Sequence, residues 1–197
     1  PMDRCSLALQ LGGMMADGSV IVQCGKMNEV KPIALDLSNY AKAIGAGERV
    51  NRHAASLLKN AEDGDLGSFK NNLALIQSDV EQELASLRDS DMANLIGLGG
   101  WIRALDAATA ALDNKFSEDK AKVIFQPDVP EYFHYILDGV EPEMKERRDI
   151  GKIMELLTTL QEQMTLAPGA KPTKAGVEAL RKTTLKLMKA ALAPAES

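Results

Sequence analysis

A chain of 197 residues has room for one domain or two small ones. With 45% hydrophobic and 26% charged residues it can build a real core, and its net charge of −5 argues against a general nucleic-acid binder, which would carry a basic excess. Aromatics supply only 4%, while Ala, Leu, Met, Lys, Glu and Gln, all good helix formers, dominate.

The first helix is expected near residues 5–24. Its longest uncharged stretch, Cys5 to Ala16, has 12 residues, includes Gln10, Gly12 and Gly13, and falls short of the roughly 20 apolar residues that cross a bilayer. No transmembrane segment is therefore expected. Asp3 beside Arg4 spoils the basic start of a signal peptide, and no small-x-small cleavage site follows before Asp17. The opening Pro1 in place of Met points to an exported, periplasmic domain whose signal peptide has been trimmed, whereas unpaired thiols point to the cytoplasm. Two cysteines, Cys5 and Cys24, are too few for a disulfide scaffold. On one helix they stand about 28 Å apart, far beyond the roughly 7 Å that a disulfide spans. They are expected to be free thiols serving as small buried apolar residues, unless the helix folds back near Asp17-Gly18.

Further along, apolar residues recur at three- and four-residue steps. One series is Val30, Ile33, Leu37, Tyr40 and Ile44; the next is Leu66, Phe69, Leu73, Ile76, Val80 and Leu87, with Glu83 its polar member. The spacing returns at Leu95, Leu98, Ile102, Leu105 and Leu112, at Ile150, Ile153, Leu157, Leu160 and Met164, and at Val177, Leu180, Leu187 and Ala191, with Thr184 in the seam. Breakers fall between them: Gly25, Gly45-Ala46-Gly47, Asp63-Gly64-Asp65, Asp89-Ser90-Asp91, Pro127, Pro130, Gly139, Pro142 and Pro168-Gly169. Helices are thus expected near 5–24, 29–45, 48–61, 66–88, 92–113, 117–125, 130–138, 143–166 and 173–192. Ser90 or Asp91 is a fitting N-cap for the fifth and Ser117 for the sixth. The fold class is all-α: a single-domain antiparallel helical bundle of about seven to nine helices. Residues 1–114 form its main bundle, 115–142 a proline-broken, aromatic-rich connection, and 143–197 a C-terminal helical hairpin.

The motifs read mostly as structure. Leu9-Gln10-Leu11-Gly12-Gly13-Met14-Met15 matches Ile96-Gly97-Leu98-Gly99-Gly100-Trp101-Ile102 at an offset of 87, so these helices are either related halves or cross at their glycines. The Gly97, Gly99 and Gly100 cluster lacks the Gly-Lys-Ser/Thr of a phosphate loop and follows no predicted strand. Each mid-helix glycine costs about 0.5–1 kcal/mol relative to alanine, a cost offset where packing excludes a side chain. Asp63-Gly64-Asp65 fails the calcium-loop pattern, because Ser68 and Ala74 stand where Gly and Glu are required. It reads as an inter-helix turn capped by acids.

Glu131-x-x-His134, with Asp138 four residues on, places three metal-ligating side chains on one helix face. A di-iron bundle needs that motif twice, and the other histidine, His53, has Val50 three residues before it. A solvated face is the preferred reading over a metal site, and no cofactor is expected. Five of the eight aromatics (Phe116, Phe125, Tyr132, Phe133 and Tyr135) fall within 20 residues. They anchor a short helix, or they form a recognition surface. From Lys171 to Ala193 six basic residues face one acid, Glu178; Lys182, Lys186 and Lys189 form the solvated side of a terminal helix.

No nucleophile–base set can be assembled from the sequence. The leading functional expectation is a non-enzymatic helical binding or scaffolding protein, acting through a protein surface on a partner or a second copy. Its surface residues would be Trp101, Phe125, Tyr132, Phe133 and Tyr135. Two alternatives remain: a carrier of a small apolar or amphiphilic ligand near Trp101 and Tyr132–Tyr135, which needs a pocket of at least roughly 300 Å³, and a metal-dependent enzyme using Glu131, His134 and Asp138.

Overall fold

The structure, a computed structural model, describes residues 4–44, 48–86, 90–146 and 148–193. Among these, every regular element is helical: α1 (Arg4–Cys24), a 3-10 turn (Met27–Glu29), α2 (Val30–Ala43), α3 (Glu48–Asp63), α4 (Leu66–Ser86), α5 (Ser90–Asn114), α6 (Glu118–Ile124), α7 (Asp128–Asp138), α8 (Pro142–Lys145), α9 (Arg148–Met164) and α10 (Lys174–Leu192). The fold is all-α, as the periodicity requires. The expected breaker at Gly45-Ala46-Gly47, the apolar Leu87 and the turn residue Asp89 lie outside the described residues.

Local chemistry sets most boundaries. Gly25 (φ 66°), Gly64 (φ 72°) and Gly169 (φ 77°) take the left-handed conformation that lets a chain leave a helix without a Cβ clash. Asp65 Oδ1 accepts the Ser68 N–H at 3.0 Å, starting α4; the Ser68 hydroxyl first, and this backbone bond second, hold the Asp65 carboxyl below its usual range. Thr173 accepts the Gly176 N–H at 3.1 Å and Ser117 the Lys120 N–H at 3.5 Å, opening α10 and α6. Since α5 begins at Ser90, both Ser90 and Asp91 lie inside the helix instead of capping it.

Two further departures stand out: α7 begins at Asp128, two residues before the expected start, so Pro130 sits in its first turn instead of ending a helix, and one expected helix is divided. The helix expected over 143–166 is two, α8 and α9, with Glu146 in a turn between them. No Gly or Pro marks this break. On the N-terminal side of the break, Lys145 Nζ donates to the Asp138 carbonyl oxygen at 3.0 Å and to the Asp138 carboxylate. A tertiary bond thus ties α8 to the end of α7.

The chain forms two compact units, residues 1–101 and 102–197, divided inside α5. In the first, α1 packs on α2 and α4, and α3 on α2 and α4. Its core includes Leu9, Leu11, Leu37, Leu57, Phe69, Ile76, Leu95 and Leu98, all essentially without solvent contact. In α2 the fully buried positions are Val30, Ala34 and Leu37, while Ile33 and Tyr40 sit half-buried at the edge of the stripe. In α4, Leu84 continues the buried face.

The second unit packs α9 on α10 and α7. Its core draws on Ile102, Leu105, Leu137, Ile150, Ile153, Leu157, Leu160, Val177, Leu180 and Leu187. Thr184 sits fully buried in the α10 seam because its hydroxyl donates to the Leu180 carbonyl at 2.8 Å; Thr109 in α5 does the same to Leu105 at 2.8 Å. Both present mainly a methyl group to the core.

Cys5 and Cys24 lie on one continuous α1, which does not fold back at Asp17-Gly18, and no disulfide joins them. Only Cys5 is buried; Cys24 is exposed at the helix end, correcting the expectation of two buried thiols. Gln10 is buried in α1 and accepts the Tyr40 hydroxyl of α2. Tyr40→Phe is expected to cost about 1 kcal/mol in urea unfolding. Burial, and secondarily Asp36, push the Tyr40 hydroxyl above its ordinary range. The stability it contributes is complete below the unfolded pKa, near 10, and is lost as pH rises through the folded value. The phenylalanine variant should show a flatter alkaline limb.

Candidate functional site

Two places concentrate functional chemistry, one in each unit. The first begins with the glycines of α1 and α5. A Cβ added at Gly12 would lie 1.9 Å from the Ile96 carbonyl oxygen, and one at Gly99 would lie 1.9 Å from that of Leu9. The Cα atoms are therefore within about 3.4 Å of those oxygens, the range of Cα–H···O contacts. Gly100 joins the crossing, where an added Cβ would stand 3.3 Å from the Gly12 oxygen; Gly13 is buried in α1, and Gly97 is exposed on α5. The contact is reciprocal, since positions 9 and 12 relate to 96 and 99 by the same offset of 87. The paired contacts form a local two-fold relation between the helices, which the absence of a Cβ at Gly12 and Gly99 permits.

Among the described residues, α1 and α5 are also the two helices long and apolar enough, by length and composition, to cross a membrane; 56% and 39% of their apolar stretches are buried inside the protein. Asp17 interrupts the apolar run of α1, and Arg103 and Asp106 that of α5, so neither holds an uninterrupted uncharged stretch of spanning length.

Beside this crossing lies a half-open cleft of about 260 Å³ between α1, α4 and α5. Its floor is the small-residue faces, among them Gly12, Ala16, Ala93 and Gly97, and its walls include Met15, Leu84 and Trp101. Small residues create the space, because two helices this close leave a trough wherever side chains are missing. At one rim Gln77 donates its amide to Glu81 at 3.2 Å. The sequence reading named Trp101 and three of these glycines but missed Gln77 and Glu81. Both are exposed polar residues on a helix, and no sequence signal separates them from any other solvated face.

In the same unit, His53 Nε2 meets Asp79 Oδ2 at 3.0 Å, tying α3 to α4. Asp79 is 8% exposed. Sequence reasoning missed this pair too, because its members are 26 positions apart on different helices.

The second place is the aromatic segment of the other unit. The structure divides the aromatics by type. Phe116 and Phe125 pack with Ile124 against Leu112, Ala121 and Val177, and Phe125 covers Gly176 so closely that an added Cβ would stand 3.2 Å from the ring. Phe133 is buried at 8% exposure. Tyr132 and Tyr135, three residues apart on α7, point outward with 55% and 77% exposure. Tyr132 stacks edge-on against Phe133, ring centroids 5.3 Å apart at 65°. Trp101 belongs to residues 1–101 and Tyr132–Tyr135 to the other unit.

The metal candidates are placed otherwise. Glu131 and Asp138 are exposed and His134 half-buried on α7, and among the described residues no three His, Cys, Asp or Glu side chains gather to hold a metal ion. The Asp138 carboxylate is held by Lys145, which depresses its pKa, with a smaller contribution from His134. Its stabilisation is present above the unfolded carboxylate pKa, near 4, and is lost as pH falls through the folded value. Lys145→Met should return the Asp138 titration, followed by NMR, to the ordinary carboxylate range.

The remaining charges form structural networks. Arg103 pairs with Asp106, while Arg181 of α10 lies 3.7 Å from both Asp106 and Asp113 of α5. Lys182, Lys186 and Lys189 are exposed along α10. No protein family, curated protein or solved structure matches the chain, so function is read from this geometry.

Proposed function

We propose that the chain is a helical binding protein that works through a protein surface, the α7 face carrying Tyr132 and Tyr135, with a second copy of the chain as its partner. The observation behind this reading is the division of the aromatics: phenylalanines turned into the unit, tyrosines turned out. Two large rings in water forgo about 25 cal/mol for each Å² of apolar surface left uncovered, and a partner surface recovers that energy. The Tyr132 ring, held against buried Phe133, loses little rotamer freedom on contact, which is the property of an interface anchor.

Self-association is the test. Sedimentation velocity over a concentration series is expected to detect dimers of the wild-type chain, and the Tyr132→Ser/Tyr135→Ser variant is expected to stay monomeric with an unchanged circular-dichroism spectrum. A wild-type chain that is monomeric throughout, or a variant that associates equally, overturns the reading. A second reading, carriage of a small ligand between helices, draws on the cleft beside Trp101, although its 260 Å³ is slightly below the usual range of roughly 300–1,000 Å³ for ligand pockets.

A further inference from the structure

We infer that the cleft between α1, α4 and α5 binds a small organic cation with a short apolar tail, the head group at Glu81 and the tail along the glycine floor. The inference rests on the carrier reading and adds the chemical class of the ligand. Three observations carry it. The cleft of about 260 Å³ is too small for a drug-sized molecule and suits a compact head with a short chain. Among its lining residues the charged side chain is Glu81, whose carboxylate accepts one hydrogen bond from Gln77 at 3.2 Å and, among the described residues, has no cationic partner. Trp101 lines the same cleft, and an indole face is the best aromatic surface for a cation.

The charge balance sets the sign of the preference. An anion would bring its charge to Glu81 and be repelled, and a neutral head would gain nothing from the carboxylate. A cation gains from both the carboxylate and the indole, while its tail runs along the small-residue floor at Ala16, Ala93 and Gly97. The exposed rim keeps the head partly hydrated, so the preference is moderate, about tenfold over a neutral head group of equal tail length.

Trp101 is the sole tryptophan, so its fluorescence reports the cleft directly. Hexyltrimethylammonium, hexan-1-ol and hexanesulfonate would be titrated to millimolar concentration into the wild-type chain and into the Glu81→Gln and Ala93→Leu variants, with calorimetry as a second readout. The expected result is a shift with the ammonium, about tenfold weaker binding of the alcohol and weakest binding of the sulfonate. Glu81→Gln, a surface change, should erase the difference between ammonium and alcohol, and Ala93→Leu should abolish both by filling the floor. If ammonium and alcohol bind equally and Glu81→Gln changes nothing, the cation assignment falls while the carrier reading stands. If none of the three probes produces fluorescence or heat changes, both fall together.

Discussion

Gly99→Ala is expected to destabilise the unit of residues 1–101 by about 3 kcal/mol or more. Two terms oppose each other. Alanine is the better helix former by about 1 kcal/mol. Its Cβ, however, would stand 1.9 Å from the Leu9 carbonyl oxygen, where ordinary contact begins at 3.4 Å. The obstacle is backbone, which no rotamer change relieves, so α1 and α5 must separate and the packing around Leu9, Leu11, Leu95 and Leu98 loosens with them. The steric term wins. Urea unfolding followed by Trp101 fluorescence measures it, and a Gly99→Ala protein as stable as the wild type would refute the close crossing.

Two companions sharpen the test. Gly151→Ala in α9, where an added Cβ meets nothing within 4 Å, should instead stabilise by about 0.5–1 kcal/mol. Gly12→Ala should cost as much as Gly99→Ala, because its Cβ faces the Ile96 oxygen at the same 1.9 Å. The double variant should cost clearly less than the sum, since one separation of the helices relieves both clashes.

Phe133→Ala should destabilise residues 102–197 by about 3–5 kcal/mol, the usual cost of deleting a buried aromatic ring. Tyr135→Ala, two positions on, should cost less than about 1 kcal/mol, because its ring is 77% exposed. The two substitutions should separate in opposite directions in binding: Tyr135→Ala weakens self-association in a folded protein, and Phe133→Ala acts through folding. Calorimetry of unfolding with sedimentation of the same samples distinguishes them. Equal stability losses for both variants would mean that α7 is held by its tyrosines after all, and the assignment of an outward binding face would be withdrawn.

The apolar series at Ile150, Ile153, Leu157, Leu160 and Met164 was legible without coordinates because burial on a helix repeats every three or four residues, a property of the backbone alone. The turns at Gly25 and Gly64 were legible for the same local reason, since a left-handed residue favours glycine wherever the chain goes next. Even the matched glycines of α1 and α5 announced a close approach, for a mid-helix glycine is unfavourable unless something excludes a side chain.

What the sequence determined by itself, then, was the all-α class, nearly every helix boundary and most of the inward faces. Tertiary structure alone decided that the glycines meet reciprocally, that Lys145 of α8 reaches back to Asp138 of α7, that His53 finds Asp79, that Glu81 and Gln77 rim a cleft, and that the phenylalanines turn in while the tyrosines turn out. Helical periodicity is written in neighbouring residues, whereas each of these contacts depends on the position and rotation of a second helix, which no local pattern encodes.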